Sequence, residues 1–160
     1  SLAVRTNVRP ARTDPERVFA VMRSNETCAV DDAVALETNS DSIDGVRVRQ
    51  PDTGLLHTFV GIADAAITSG SYGLIQIYGY RSTSRVFQTN TSIDTGVVLT
   101  PVAAAAYVQS FASSNIPYGV LLETIVSSSV SNTVSRKIFV RAMQFAGLMV
   151  MGGNAVSGIL

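Results

Sequence analysis

From His57 to Tyr80 the chain reads HTFVGIADAAITSGSYGLIQIYGY, two strand-like runs punctuated by Gly61, Gly70, Gly73 and Gly79. In the first run Thr58, Val60 and Ile62 alternate with Phe59, Gly61 and Ala63. In the second, Leu74, Ile75, Ile77, Tyr78 and Tyr80 supply β-branched and aromatic side chains at the density of a strand. Between them, Ala65 to Tyr72 is a turn-rich connection in which Gly70 and Gly73 are expected to take the positive φ angles of a tight reversal. A chain built on such a unit is a β scaffold, and neither run carries groups suited to chemistry.

The residue inventory points away from an enzyme: one histidine (His57), one cysteine (Cys28), one lysine (Lys137) and no tryptophan. At 160 residues, 46% of them hydrophobic, the chain is long enough for one domain with a proper core. Only 15% of residues are charged and the mean hydropathy is +0.28. A free monomer needs a more charged surface than this, so protein partners are expected. The single Cys28 makes no internal disulfide, and the arginine-rich start lacks the apolar core of a secretory leader. The sequons at Asn25 and Asn90 are patterns short enough to occur by chance.

A formal net charge of zero conceals segregation along the chain. Arg5, Arg9, Arg12, Arg17 and Arg23 crowd the first residues against Asp14 and Glu16 alone. Then come Glu26, Asp31, Asp32, Glu37, Asp41, Asp44, Asp52 and Asp64, opposed by Arg47 and Arg49. A basic arm before an acidic stretch suits complementary docking, onto other copies or onto an acidic protein surface; solvated loops of mixed sign are the plainer reading.

The expected organisation is an extended basic arm over residues 1–16, a β-rich module over 17–144 and an apolar tail over 145–160. Strands are expected at Arg17 to Met22, Ala29 to Leu36, Val46 to Arg49, Leu55 to Ala63, Leu74 to Tyr80, Arg85 to Gln88, Gly96 to Thr100, Tyr118 to Ser127 and Val134 to Met143. One helix is expected from Pro101 to Ser114, with Thr100 as N-cap, Pro101 in the first turn and Ala103 to Ala106 as a helix-forming run. A low-complexity linker is the alternative there. The fold class is therefore mainly β, a small β-sandwich or β-barrel-like module with one short helix. Phe145 to Leu160 carries no charge and is too short and glycine-rich to span a membrane. It reads as an apolar hairpin around Gly152-Gly153-Asn154, packed on its own core or added to a sheet of another chain.

No constellation of catalytic residues survives inspection. His57 with Asp52 or Asp64 and a serine lacks a Gly-x-Ser-x-Gly elbow, and nothing in the sequence brings Cys28 to His57. For a calcium loop beginning at Asn39, Asp44 falls where glycine is required and Gln50 where the bidentate glutamate belongs. Gly70-Ser71-Tyr72-Gly73 has no following lysine and so is a turn and not a phosphate cradle. The arm arginines have no interleaved aromatic row with which to stack bases. No catalytic residue, cofactor, metal, nucleic-acid or membrane partner is expected.

Three segments together resemble the core of the head decoration, or capsid cement, proteins of tailed bacteriophages. They are Phe59-Val60-Gly61-Ile62-Ala63-Asp64, Gly73-Leu74-Ile75-Gln76-Ile77-Tyr78-Gly79 and Ile93-Asp94-Thr95-Gly96-Val97-Val98-Leu99, with Asp31 to Leu36 similar to an earlier strand of that family. The similarity spans residues 26–105. It implies a small, non-catalytic, β-rich virion protein, usually trimeric, that sits on the capsid surface against the major capsid protein and stiffens the shell. Arg5, Arg9 and Arg12 of the arm and Leu148, Val150, Ile159 and Leu160 of the tail are the expected capsid or inter-subunit contacts. The alternative is a receptor- or glycan-binding domain of a phage fibre, for which Tyr72, Tyr78, Tyr80 and Tyr107 are the candidate platform.

Overall fold

The computed structural model describes residues 16–38, 44–53, 56–110, 117–127 and 131–142. The arm, the tail and all seven expected contact residues, Arg5, Arg9, Arg12, Leu148, Val150, Ile159 and Leu160, lie outside these described residues. The fold is mainly β. Its strands are β1 (Arg17–Ser24), β2 (Ala33–Leu36), β3 (Arg47–Arg49), β4 (Phe59–Ala63), β5 (Tyr72–Arg81), β6 (Arg85–Gln88), β7 (Val98–Pro101), β8 (Val108–Ser110), β9 (Gly119–Leu121), β10 (Asn132–Ser135) and β11 (Ile138–Arg141). Among the described residues one 3-10 turn, Leu56–Thr58, leads into β4.

The first five strands close on themselves in the order β1-β3-β2-β4-β5, with β5 returning to β1. Only the β1–β3 contact is parallel; the other four are antiparallel. The remaining strands repeat this plan. β6 pairs β8 in parallel, and β8–β7, β7–β9, β9–β11 and β10–β6 are antiparallel. β10 runs into β11 through Arg136 and Lys137, so the second ring also closes, with its fifth strand broken where the first has an unbroken β5.

Registers coincide between the two rings. Val34 opposes Gly61 as Leu99 opposes Gly119, and Leu36 opposes Val48 as Pro101 opposes Val108. The turn before β2 donates Asp31 N–H to Ala63 O at 3.0 Å, and the turn before β7 donates Gly96 N–H to Leu121 O at 2.8 Å. An isolated bridge joins Cys28 to Ile67 in the first ring and Ile93 to Ile125 in the second. The chain is thus a tandem pair of five-stranded barrels, and the end of β5 lies beside β11 as the start of β1 lies beside β5.

Alternating side chains fill each barrel. Cys28, Val34, Val48, Ala63, Ile67 and Ile75 occupy the first, and Ile93, Leu99, Val108, Leu121, Ile125 and Ile138 occupy the matching places in the second. Where the second ring carries the larger Leu121 and Ile93, it carries the smaller Ser84 at the position of Met22, which offsets part of the added volume. Between the barrels, Phe59 packs on Tyr118 with ring centroids 4.9 Å apart, joined by Ala33, Ile62 and Val140. The register on β4 slips by one residue at Val60, and this bulge puts Phe59 and Ile62 on one side.

Two glycines make the close approaches possible. A Cβ on Gly61 would stand 2.1 Å from Gln76 O, and one on Gly79, where φ is +102°, would stand 1.9 Å from Glu16 O. Gly70 has the expected positive φ, whereas Gly73 does not; it is small because Ile67 fills the space a side chain would need.

The expected helix from Pro101 to Ser114 is absent from its described part. Pro101 ends β7, Ala104 adopts φ +52°, and Val108–Ser110 is β8, while residues 111–116 lie outside the described residues. The alanine run is a tight connection held to the other barrel: Ala104 N–H donates to Pro51 O at 2.7 Å, and Ala33 N–H to Ala106 O at 3.0 Å. Tertiary hydrogen bonds outweigh the helix propensity of alanine here. The strand expected from Val134 to Met143 is divided between β10 and β11, and that from Tyr118 to Ser127 shrinks to β9 and the bridge at Ile125.

Candidate interaction surfaces

At the joint between the barrels, the turn before β2 places Asp31 and Asp32 beside Asp64 at the end of β4, and the chain leaving β5 brings Arg81 and Arg85 to them. Every N–H of the Arg81 guanidinium is engaged. Nε and Nη2 donate to Asp31 Oδ1 at 3.1 and 2.6 Å, Nη1 to Asp64 Oδ1 at 2.9 Å and Gln76 Oε1 at 3.2 Å, and Nη2 also to Ala63 O at 2.9 Å. Gln76, itself buried, passes its amide protons to the carbonyls of Tyr78, Gly79 and Tyr80. Arg85 Nη1 donates to Asp32 Oδ1 at 2.7 Å, and Asp32 also caps the turn through Ala29 N–H. Asp31 sits at φ +70°, an angle that Asp tolerates better than most residues.

These contacts revise the reading of the acidic stretch as a dock for a neighbouring arm. Asp31 and Asp32 are matched within the chain by arginines some fifty positions later. Asp44 is bound by Val46 N–H, Arg47 N–H and Arg47 Nε, and the backbone bond from Val46 is the main reason its carboxyl lies below the usual range. Asp41 lies outside the described residues. Among the described residues no group of three or more His, Cys, Asp or Glu is placed to hold a metal ion.

The residues with nucleophilic or basic potential are set in different surroundings. Cys28 is buried in the first barrel, 3.1 Å from Ser24 Oγ, and burial raises its thiol pKa. His57 is exposed in the 3-10 turn. A void of about 10 Å³ where the barrels meet, lined by Phe59, Leu99, Tyr118 and Ile138 among others, is apolar and has room for no more than a water. Among the described residues no helix is long and apolar enough to cross a membrane.

An apolar strip crosses the outside of the first barrel. Val21 on β1 opposes Leu74 on β5, and Arg23 opposes Tyr72. Val21 is 64% exposed and Tyr72 65%, with Phe19 and Leu74 beside them. Pairing to β3 holds only Arg23 and Ser24 of β1, so its earlier part has β5 as its one strand partner among the described residues. Strand alternation explains the strip: Ala20 and Met22 turn inward, and Phe19 and Val21 must turn out. The candidate tyrosines do not converge. Tyr78 meets Phe139 edge-on at 5.2 Å, Tyr107 stacks on Phe87 at 5.2 Å, and Tyr72 stands at the far end of β5.

No protein-family model and no curated protein matches the sequence. Among solved structures, the chain is similar to the head fiber gp8.5 N base of bacteriophage phi29, with a TM-score of 0.46 and 11% identity over 81% of this chain and 98% of that one.

Proposed function

We propose that this chain is a non-catalytic structural protein of a tailed-phage virion, a decoration or cement protein on the outer capsid surface, bound to the major capsid protein and to further copies of itself as a homotrimer. It uses no cofactor, nucleic acid or membrane. The observation that carries this reading is the strip of Phe19, Val21, Tyr72 and Leu74. It is an apolar centre on a closed barrel, rimmed by Arg17 and Arg23, which is the layout of a protein-binding face. The glycine-and-strand pattern of residues 26–105 supports the same assignment. The basic arm supplies a second, salt-sensitive contact, because Arg5, Arg9 and Arg12 lie in a segment with no apolar period of its own.

The test is attachment of purified protein to undecorated heads, read by co-sedimentation and by cryo-electron microscopy. Val21→Asp with Leu74→Asp replaces exposed side chains, so the fold is retained while attachment falls about tenfold or more. Deleting residues 1–15 leaves thermal unfolding unchanged and lowers both attachment and its response to salt. Full attachment by both variants overturns the proposal. Failure of the intact protein to bind heads, together with Tyr72-dependent binding to host glycans, would favour the receptor-binding fibre.

A further inference from the structure

The two barrels match in strand register, yet their outer faces are treated differently. On the first, the face formed by β2 and β4 is covered by the second barrel: Ala33 and Ile62 are each 1% exposed. Their counterparts on β7 and β9 are Val98, which is 36% exposed, and Val120, which is half-buried. An array of stacked units needs a cap on its last open face.

The chain that covers the first barrel is the one that leaves β5. It carries Arg81 and Arg85 across the end of the ring to Asp64, Asp31 and Asp32. In the second barrel the counterparts of Asp32 and Asp64 are Val97 and Leu122, the latter 37% exposed. The chain that leaves β11 starts from the equivalent point, with Arg141 and Ala142 standing where Tyr78 and Gly79 stand in the first ring. In sequence, Gln144 and Leu148 lie as far beyond Arg141 as Arg81 and Arg85 lie beyond Tyr78. Acid meets arginine at the first joint. At the second, Val97 is half-buried against the core, Leu122 stands exposed beside it, and the residues that follow at the matching spacing carry no charge.

We propose that residues 143–160 cap the second barrel of their own chain, crossing Val97 and Leu122 and lying over the outer face of β7 and β9. The segment is uncharged throughout and apolar at Leu148, Met149, Val150 and Met151, the chemistry that face requires. It has the reach, since six extended residues span about 20 Å, the width of about four neighbouring strands. This inference concerns the chain's own packing and stands independently of the virion reading.

The experiment places a photo-reactive benzoylphenylalanine at Leu148 in the full chain and maps the adducts by mass spectrometry, using an equimolar mixture of ¹⁴N and ¹⁵N protein. Adducts within one isotope population at residues 96–98 or 120–122 support the cap. Adducts only between differently labelled chains make this face a dock for a second copy and overturn the proposal, as do adducts on Phe19, Val21 or Leu74, or none. Hydrogen exchange of Leu122→Asp in the full chain provides a separate reading. Loss of protection in residues 145–160 with β5 unchanged supports the cap, and unchanged protection in the tail overturns it.

Discussion

Replacing Arg81 by methionine tests whether the joint between the barrels holds the fold together. Methionine keeps an apolar stem of similar length and removes the guanidinium. Asp64, whose side chain is 38% exposed, regains water and contributes little to the loss. Asp31, whose side chain is 16% exposed, keeps the Thr83 hydroxyl but loses its cation, and the buried Gln76 Oε1 loses its donor, whereas Ala63 O keeps Asp31 N–H. A buried acceptor left without a donor costs about 1–3 kcal/mol, and breaking a buried pair by removing one partner about 3–5 kcal/mol. The expected destabilisation is therefore about 3–5 kcal/mol, a large part of the 5–15 kcal/mol typical of a domain. With a urea m-value of about 2 kcal/mol/M, the midpoint followed by far-ultraviolet circular dichroism falls by about 2 M. Arg85→Met is the control. Arg85 is 41% exposed, so losing its bond to Asp32 costs about 1 kcal/mol or less. Adding Asp31→Asn to Arg81→Met recovers part of the loss, because the amide carries no charge and tolerates a positive φ. If Arg81→Met lowers the midpoint no more than Arg85→Met, the buried joint does not hold the barrels as described.

Two further outcomes follow from the same geometry. Gly61→Ala drives a Cβ onto Gln76 O at 2.1 Å, whereas Gly119→Ala, at the matching place, meets Phe139 O at 3.1 Å; urea melts should show the first variant losing more than about 3 kcal/mol or failing to fold and the second losing about 1 kcal/mol, and equal losses would refute the register match. Burial raises the phenol of Tyr118 from 10.0 to about 12 and also raises the Cys28 thiol. Both groups have folded-state pKa values above their unfolded ones, so their stabilising effect is complete below the unfolded values and is lost as pH rises through the folded ones. Unfolding midpoints should fall from about pH 9 upward and most steeply between pH 10 and 12, and in a spectrophotometric titration the last tyrosine to ionise should vanish in Tyr118→Phe.

The strands were legible because their cause is local. β1, β3, β4, β5, β6 and β7 fall where alternation and β-branched residues place them, within a few positions. The pairing of two barrels was not, because ring closure depends on contacts between residues far apart in sequence. A trace of it is visible: Gly61-Ile62-Ala63 and Gly119-Val120-Leu121 match at the glycine and in the apolar residues that follow. Volume exchange between the barrels, such as Ala63 for Leu121, dilutes identity while preserving packing. The alanine run misled for the opposite reason, a strong local preference overridden by Pro51 and Ala33 in the other barrel. Charge segregation pointed to docking of the basic arm on acidic groups; Asp31 and Asp32 are instead met by Arg81 and Arg85 of the same chain, and Arg5, Arg9 and Arg12 lie outside the described residues. The apolar strip is implicit in the alternation of β1, though only the ring's closure decides which side of the strand faces out. The expected contacts on the arm and tail rest on segments beyond the described residues.

The register of β5 also brings the first and the last described strands together. Arg17 lies opposite Gly79 and Arg141 opposite Tyr78, so β1 and β11 flank β5 on its two edges at nearly one level. Strand spacing puts the two points about 10 Å apart. In engineering terms the pair of barrels is an insertion cassette: it could be spliced into a surface loop of a host protein whose ends are separated by about that distance, leaving the host's chain path almost undisturbed.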